Sequence, residues 1–144
     1  MARVKLIIPH HILTSVSIAV RITDINYGNH VGNDSFVSIL HEARLQWLKQ
    51  HGYTELNIGN AGLIMSDLEM EYKKEAFYGD IIEVQISVGL ITTFGFELYY
   101  QLFTTRKAKQ LLLAKAKTGM VCYDYTNKKL VAMPNLFLQL LTNC

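Results

Sequence analysis

The sequence predicts an α+β protein in which an antiparallel sheet of about five strands wraps around one long central helix. Three observations support this. One helical pattern is apolar around most of its circumference, the patterns after it alternate apolar and polar residues, and the chain is 50% hydrophobic over 144 residues. A helix without a polar face has to be buried, and a curved sheet can cover it. We expect one domain spanning residues 1–144.

The first strand and the central helix are predicted from the amino-terminal third of the chain. Residues 16–23 are rich in β-branched side chains, which is typical of a strand. Residues 34–51 have apolar side chains at helical spacing that also spread around the helix: Phe36, Val37, Ile39, Leu40, Ala43, Leu45, Trp47 and Leu48. Asn33, Asp34 or Ser35 can supply the N-cap oxygen, and Gly52 can end the helix.

Four strands are predicted after the helix, within residues 63–77, 81–90, 95–105 and 110–124. Each alternates apolar and polar side chains, as expected for a strand with one face on a core. Hairpins are expected at residues 78–80 and 92–95. The last strand is predicted to place mostly small residues inward: Leu112, Ala114, Ala116, Thr118, Met120 and Cys122. Residues 134–141 predict a short helix.

Composition argues against several function classes. The net charge is +2, without a long run of like charge, so no nucleic-acid partner is expected. No segment approaches the roughly 20 apolar residues of a membrane span, and polar residues interrupt the apolar amino-terminal segment. Cys122 and Cys144 indicate neither a disulfide framework nor a metal site, and His10, His11 and His51 lack companions at ligand spacing. A soluble cytoplasmic protein without a metal is expected.

The strongest functional signal is the segment TDINYGNHVGND, residues 23–34, between the first strand and the helix. It holds two acids, three asparagines, two glycines and a histidine. Backbone amides at a helix start have no partner within the helix and lie at the positive end of its dipole. The amides of residues 32–35 are therefore a candidate site for an oxygen that develops negative charge.

Several short words in this sequence resemble the hotdog-fold thioesterases, a group that includes hydroxybenzoyl-CoA thioesterases and plant-type acyl-carrier-protein thioesterases. The words are Asp24-Ile25-Asn26, His30-Val31, Asn33 and Glu42-Ala43-Arg44. The segment MEYKKEAFYGD also resembles the strand of the plant-type enzymes that bears a catalytic glutamate, which falls on Glu75. The resemblance covers nearly the whole chain. It implies a hotdog fold, acyl-thioester hydrolysis and an active site between two subunits.

The sequence departs from that family at its main acid. Family members use the second acid of the Asp-x-Asp pair as nucleophile or general base, and that position is Asn26 here. An amide cannot take a proton in this role. The substrate-orienting asparagine of the plant-type enzymes corresponds to Gly28, with Asn29 beside it.

The candidate catalytic residues are Asn26, His30, Glu75 and Asp24, and the candidate substrate-binding residues are Gly28, Asn29, Gly32, Asn33 and Glu42. His30 and Glu75 are the favoured bases. Structural alternatives stay open, because Asp24 can cap the turn and Glu42 can pair with Arg44. Strand alternation also places Glu75 among solvated acids, unless a bulge or a partner subunit covers it. Four lysines around the last hairpin could meet the phosphates of coenzyme A, although a solvated face is preferred: Lys107, Lys109, Lys115 and Lys117.

The predicted function is hydrolysis of an acyl-CoA or acyl-carrier-protein thioester by activated water, without a metal or organic cofactor. The predicted assembly is a homodimer or homotetramer, which the aromatic residues Tyr99, Tyr100 and Phe103 support as surplus surface. Two alternatives remain. One is a catalytically silent protein that binds acyl thioesters, which Asn26 favours, and the other is a hotdog hydratase or dehydratase.

Overall fold

The structure is a computed structural model that describes residues 3–143. Within them, a six-stranded antiparallel sheet holds one long helix against its inner face, and a short helix follows the last strand. The elements in chain order are β1 (Ile12–Ala19), a 3-10 turn (Ile22–Asp24), α1 (Asn33–Gln50), β2 (Gly62–Tyr72), β3 (Ile81–Ile91), β4 (Gly95–Arg106), β5 (Lys109–Asp124), β6 (Lys129–Leu130) and α2 (Asn135–Thr142).

The strand order is β1-β3-β4-β5-β2, with β6 paired to β5. The hairpin predicted at residues 92–95 is confirmed, since it joins the paired strands β3 and β4. The hairpin predicted at residues 78–80 is wrong. β2 pairs with β5 at one edge of the sheet, so residues 73–80 lead the chain away to β3 near the other edge. Alternation shows which side chains of a strand face inward, but it does not identify the neighbouring strand.

The core lies between α1 and the inner face of the sheet, as predicted. Phe36, Leu40, Ala43 and Trp47 of α1 are buried. The inward residues of β3 and β4 are buried as well: Ile82, Val84, Ile86, Val88, Phe96, Leu98, Tyr100 and Leu102. The sheet covers only one side of the helix, however. Leu45 is 36% exposed, so the prediction of burial all around α1 is wrong on that side.

Several predicted boundaries shift for local reasons. β1 ends at Ala19, because the backbone amide of Arg21 donates to the Asp24 carboxylate and folds the next residues into the 3-10 turn. The N-cap of α1 is Gly32, which has no side chain to cap it, rather than one of the three predicted residues. An irregularity in the β4–β5 register leaves Leu112 half-buried and places Leu113 in the core. None of the helices within residues 3–143 combines the length and apolar character required to cross a membrane.

Candidate active site

The turn between β1 and α1 is closed by backbone hydrogen bonds. The amide of Asn26 donates to the His30 carbonyl over 2.9 Å, and the amide of Asn29 donates to the Asn26 carbonyl over 3.1 Å. Asn29 has a φ of 65°, a left-handed conformation that asparagine adopts more readily than most residues. Tyr27 is fully exposed at the tip. The chain therefore turns back within a few residues and brings His30 next to Asn26 and Gly28.

The loop after β2 is fastened to this turn. The amide of Val31 donates to the Ala76 carbonyl over 2.8 Å, next to Glu75 in sequence. Arg106, at the end of β4, donates to the Glu75 carbonyl over 2.8 Å and forms an ion pair with Asp80. Burial raises the pKa of the Asp80 carboxyl, but the hydrogen bonds from Arg106 and from the Phe77 amide outweigh this and lower it overall. The loop is held from both ends, which places Glu75 beside His30.

His30 and Glu75 form a loose pair that is open to solvent. The Nε2 atom of His30 lies 3.8 Å from Oε1 of Glu75, and their side chains are 30% and 62% exposed. The Nδ1 atom of His30 lies 3.2 Å from the Val31 carbonyl, which can only accept. Nδ1 is therefore the protonated nitrogen of the neutral ring, and Nε2 has a free lone pair. The sequence predicted these two residues, and the structure brings them together.

Glycine at position 28 leaves room beside this nitrogen. A Cβ atom placed there would lie 3.1 Å from Nε2 of His30 and 3.3 Å from Oδ1 of Asn26. The side-chain oxygen of Asn26 accepts a hydrogen bond from the Gly28 amide over 2.9 Å, and this bond fixes the orientation of the side chain. Its Nδ2 group lies on the side of Gly32, 3.7 Å from where a Cβ of that residue would stand. Asn26 therefore presents a hydrogen-bond donor towards the start of α1.

The amino end of α1 offers backbone amides without a capping side chain. The amide of Gly32 is not among them, because it donates to the Asp24 carbonyl over 3.1 Å. The prediction of four unpaired amides is wrong at this residue, and the amides of residues 33–35 remain. Asn33 is exposed, and its carbonyl accepts the Tyr72 hydroxyl over 3.4 Å. This contact joins the end of β2 to the start of the helix.

Two candidates lie in structural roles instead. Asp24 is only 4% exposed, and its carboxylate accepts the Arg21 amide over 2.8 Å and approaches the Arg21 side chain at 3.4 Å. These contacts agree with the alternative that Asp24 caps the turn. Glu42 is exposed on α1 and accepts a hydrogen bond from Gln46 over 2.7 Å.

A second polar cluster lies deeper along α1, and sequence reasoning missed its composition. Arg44 pairs with Glu55 over 2.9 Å rather than with Glu42, and it donates to the Tyr100 hydroxyl over 3.2 Å. His41 lies 2.6 Å from the same Glu55 carboxylate. Burial raises the pKa of Glu55, but the hydrogen bonds from Arg44 and His41 outweigh it and keep the pKa below the ordinary 4.5. Tyr100 is fully buried here, so the prediction that it supplies surplus surface for assembly is wrong.

The four lysines around the last hairpin, for which a solvated face was preferred over phosphate binding, do not form one group. Lys117 pairs with Asp67 over 3.0 Å, and Lys115 donates to the Leu6 carbonyl over 3.3 Å, whereas Lys107 and Lys109 lie at the turn between β4 and β5. Among residues 3–143, no three histidine, cysteine, aspartate or glutamate side chains are grouped as a metal site would require.

Comparison with known proteins matches residues 20–141 to the model of the thioesterase-like superfamily. A protein of Aquifex aeolicus named as a candidate esterase is 27% identical over 113 residues, covering 77% of this chain and 84% of the relative. A 1,4-dihydroxy-2-naphthoyl-CoA hydrolase of Microcystis aeruginosa is 29% identical over 104 residues, covering 68% and 70%. The crystal structure of a 1,4-dihydroxy-2-naphthoyl-CoA thioesterase from Synechocystis superposes with a TM-score of 0.79 at 22% identity, covering 90% and 95%. The predicted family resemblance and hotdog fold are confirmed.

Proposed function

Since the chain belongs to the thioesterase-like superfamily, and one matched relative is a hydrolase of an acyl-CoA thioester, we propose that it hydrolyses acyl thioesters of coenzyme A at the turn before α1. An acyl carrier protein is the alternative source of the thioester. One observation carries the proposal. Uncapped helix amides, the donor group of Asn26 and the free nitrogen of His30 all lie within residues 26–35.

The first part of the proposal concerns the thioester carbonyl. When water adds, the carbonyl oxygen gains negative charge, and fixed donors that point at it lower the barrier. The amides of residues 33–35 stand at the positive end of α1 and supply such donors. The Nδ2 group of Asn26 supplies another beside Gly32. In this role Asn26 donates a hydrogen bond, which an amide can do although it cannot act as a base.

The second part concerns the proton of water. A water molecule in the space above Gly28 would lie beside Nε2 of His30, which accepts its proton as the new C–O bond forms. Glu75, 3.8 Å away, stabilises the imidazolium that results. When the C–S bond breaks, the imidazolium returns that proton to the departing thiolate. The products are the free acid and coenzyme A, and no metal or organic cofactor takes part.

The third part concerns assembly. We propose that two copies form a homodimer, with a tetramer as the larger alternative, and that the site lies at their interface. β2 is a terminal strand of the sheet, and an unpaired edge is a natural place for a second copy to add. Tyr27 projects fully exposed from the turn, and Glu75 is 62% exposed, so a partner could cover both. Measuring the mass in solution by light scattering tests this part.

A silent acyl-thioester binder is the second candidate, and Asn26 favours it. If the protein binds acyl-CoA but releases no thiol, the missing family acid accounts for this. In that case Asn26→Asp should create hydrolysis, because the new carboxylate would stand between Gly28 and Gly32, where the amide now stands.

The deciding experiment incubates the purified protein with a panel of acyl-CoAs and acyl-carrier proteins and follows free thiol. We expect thiol release that falls sharply in His30→Ala and Glu75→Gln. Release that survives both substitutions overturns the assigned site. Binding without release supports the silent protein. Conversion of an enoyl thioester to its 3-hydroxyacyl product without thiol release supports a hydratase.

A further inference from the structure

A cavity of about 350 Å³ lies between α1 and the first half of β2, beyond the turn. Its wall is mostly apolar, with Val37 and Leu40 from the helix and residues 63–65 and 68 from the strand. Polar groups are gathered at its inner end, where Arg44, Glu55 and Thr118 contribute. Small-molecule sites commonly have this form, an apolar hollow with a few convergent polar groups.

The polar end has hydrogen-bond donors that the protein itself does not use. Arg44 is only 4% exposed, and it donates through Nε to Glu55 and through Nη1 to the Tyr100 hydroxyl. Within residues 3–143, its Nη2 group forms no hydrogen bond. The Tyr100 hydroxyl also lies 2.7 Å from Thr118 Oγ1, where either hydroxyl can be the donor. In the arrangement in which Tyr100 donates, its hydroxyl is satisfied both as acceptor from Arg44 and as donor. The hydroxyl hydrogen of Thr118 is then left to donate, and Thr118 lines the cavity.

With His41 neutral, the charge at this end is balanced. Glu55 neutralises Arg44, and its second oxygen is occupied by His41 at 2.6 Å. A carboxylate placed beside Arg44 would be a second anion next to Glu55 and would meet repulsion as well as a cost of desolvation. A neutral oxygen, such as a hydroxyl or a ketone, accepts the two spare donors without either cost. The donors therefore fit a neutral acceptor.

The cavity lies along the same stripe of α1 that begins at the proposed active site. Asn33, Val37 and Arg44 lie four and seven residues apart on the same helical face. With a rise of 1.5 Å per residue, Val37 is about 6 Å and Arg44 about 16 Å beyond Asn33. On the sheet side, Leu68 lines the cavity, and Tyr72 of the same strand reaches the Asn33 carbonyl. An acyl group held at the helix start would extend along this stripe towards the cavity.

We propose that this cavity receives the acyl group of the substrate, and that the preferred acyl group carries a neutral hydroxyl or keto oxygen at its far end, bound by Arg44 and Thr118. The acyl class is thus a hydroxy- or oxo-acyl thioester rather than a plain hydrocarbon or a dicarboxylic one. This inference rests on the proposed function for the thioester itself. The cavity and its donors are otherwise independent of the chemistry at the turn.

The test compares thioesters that differ by one oxygen. Suitable pairs are benzoyl-CoA with para-hydroxybenzoyl-CoA, and octanoyl-CoA with ω-hydroxyoctanoyl-CoA. We expect kcat/KM to favour the oxygen-bearing member of at least one pair by about tenfold or more, since buried donors left unpaired penalise the analogue without the oxygen. Equal values within both pairs, or a preference for the plain acyl group, would overturn the inference.

Thr118→Val removes one of the two donors with little change in shape. It should reduce the preference within the favoured pair by about fivefold to tenfold, which a merely structural role would not do. Thr104→Val is the matched control, because Thr104 is also a buried threonine with one hydrogen bond, to the Ile81 carbonyl, and lies outside the cavity. A preference that survives Thr118→Val, or falls equally in the control, counts against the inference.

Two further measurements keep the result decisive. If Thr118→Val does not fold, Val37→Phe narrows the cavity from its half-buried helical side and should penalise octanoyl more than acetyl substrates. If no thioester is cleaved, calorimetric binding of the same two pairs repeats the comparison. An oxygen preference in binding without thiol release would refute the proposed hydrolysis and support the cavity assignment. Hydrolysis without any oxygen preference would support the proposed hydrolysis and refute the cavity assignment.

Discussion

Two polar clusters beside α1 differ in exposure, in the distance between their charged groups and in their hydrogen bonding. At the amino end, His30 and Glu75 stand 3.8 Å apart, largely exposed, beside helix amides without a capping side chain. Three turns along, Arg44 and Glu55 lie 2.9 Å apart, and the Arg44 side chain is only 5% exposed. The first cluster holds groups whose hydrogen-bonding capacity is unused. The second is almost saturated.

The difference shows how one helix can separate reactivity from stability. A group that acts as a base needs a free lone pair and access to water, so it gains little from its neighbours. A buried ion pair has to be hydrogen-bonded nearly completely, because an uncompensated charge in the interior is costly. Substitutions should therefore affect the catalytic rate at the amino end, and stability at the buried ion pair of Arg44 and Glu55. The following substitutions test this division.

His30→Ala should have the largest effect. The loss of the general base should lower kcat for acyl-CoA hydrolysis by about a thousandfold, within the usual range for such groups. The free energy of unfolding should change by about 0.5 kcal/mol or less, as for most partly exposed sites. Initial rates of thiol release and urea unfolding measure the two quantities. The control is His51→Ala, at the exposed carboxyl end of α1. Equal losses of activity in the two variants would refute the assignment of His30 as the base.

Glu55→Gln should show the opposite profile. It leaves the buried Arg44 without its counter-ion and should cost about 2 kcal/mol of unfolding free energy at neutral pH. The pKa of Glu55 is lowered by folding, so its contribution is fully present above the ordinary value of 4.5 and is lost as the pH falls below it. Urea unfolding at several pH values should show the native and variant proteins converging at acid pH. Glu42→Gln, an exposed acid on α1, should show neither effect.

Glu75→Gln should have a smaller effect on rate than the loss of the histidine. The variant keeps the shape of the side chain but removes the charge that stabilises the imidazolium, so kcat should fall by about tenfold. KM should change little, because the loss appears as the proton moves. Glu69→Gln replaces an exposed acid of β2 and should retain the native rate. An unchanged rate in Glu75→Gln would show that Glu75 is a solvated acid without a role in catalysis.

Gly28→Ala should have the smallest effect. The added methyl would lie 3.1 Å from Nε2 of His30, in the space assigned to the water molecule. The rate should fall by about threefold to fivefold, because the methyl group competes with the water molecule for this space. The melting temperature should stay unchanged, because the position is exposed. A crystal structure of the variant would show whether the histidine moves aside. Native rates with a native-like histidine would place the water elsewhere.

Much of the fold followed from pattern, because inward positions are set by period. The alternation in β3 and β4 and the stripe of Phe36, Leu40, Ala43 and Trp47 identified the core residues correctly. Pairing did not follow, since β2 alternates in the same way whether its neighbour is β3 or β5. The segment of residues 20–23, directly after β1, was also misjudged. Its β-branched residues suit a strand, but the Asp24 carboxylate captures the Arg21 amide and ends it.

The candidate site was predicted in part for a similar reason. His30, Asn26 and the helix amides are close in sequence, so a local turn is enough to assemble them. Glu75 depends on the Ala76 carbonyl and on Arg106, which lie on other elements, and nothing near Glu75 in sequence indicates either contact. The ion pair of Arg44 with Glu55 is similar, because the Glu-Ala-Arg word suggested a partner within the helix instead.

By itself, the sequence determined the central helix, the inward faces of the strands and the turn that ends in a glycine before α1. These are local properties, set by periodicity, by β-branching and by the backbone geometry of a helix start. Only the tertiary structure decided that β2 lies beside β5, that Glu75 meets His30, and that Arg44 faces a cavity. Contacts between distant segments depend on which surfaces bury most apolar area together, and no short stretch of the chain contains that information.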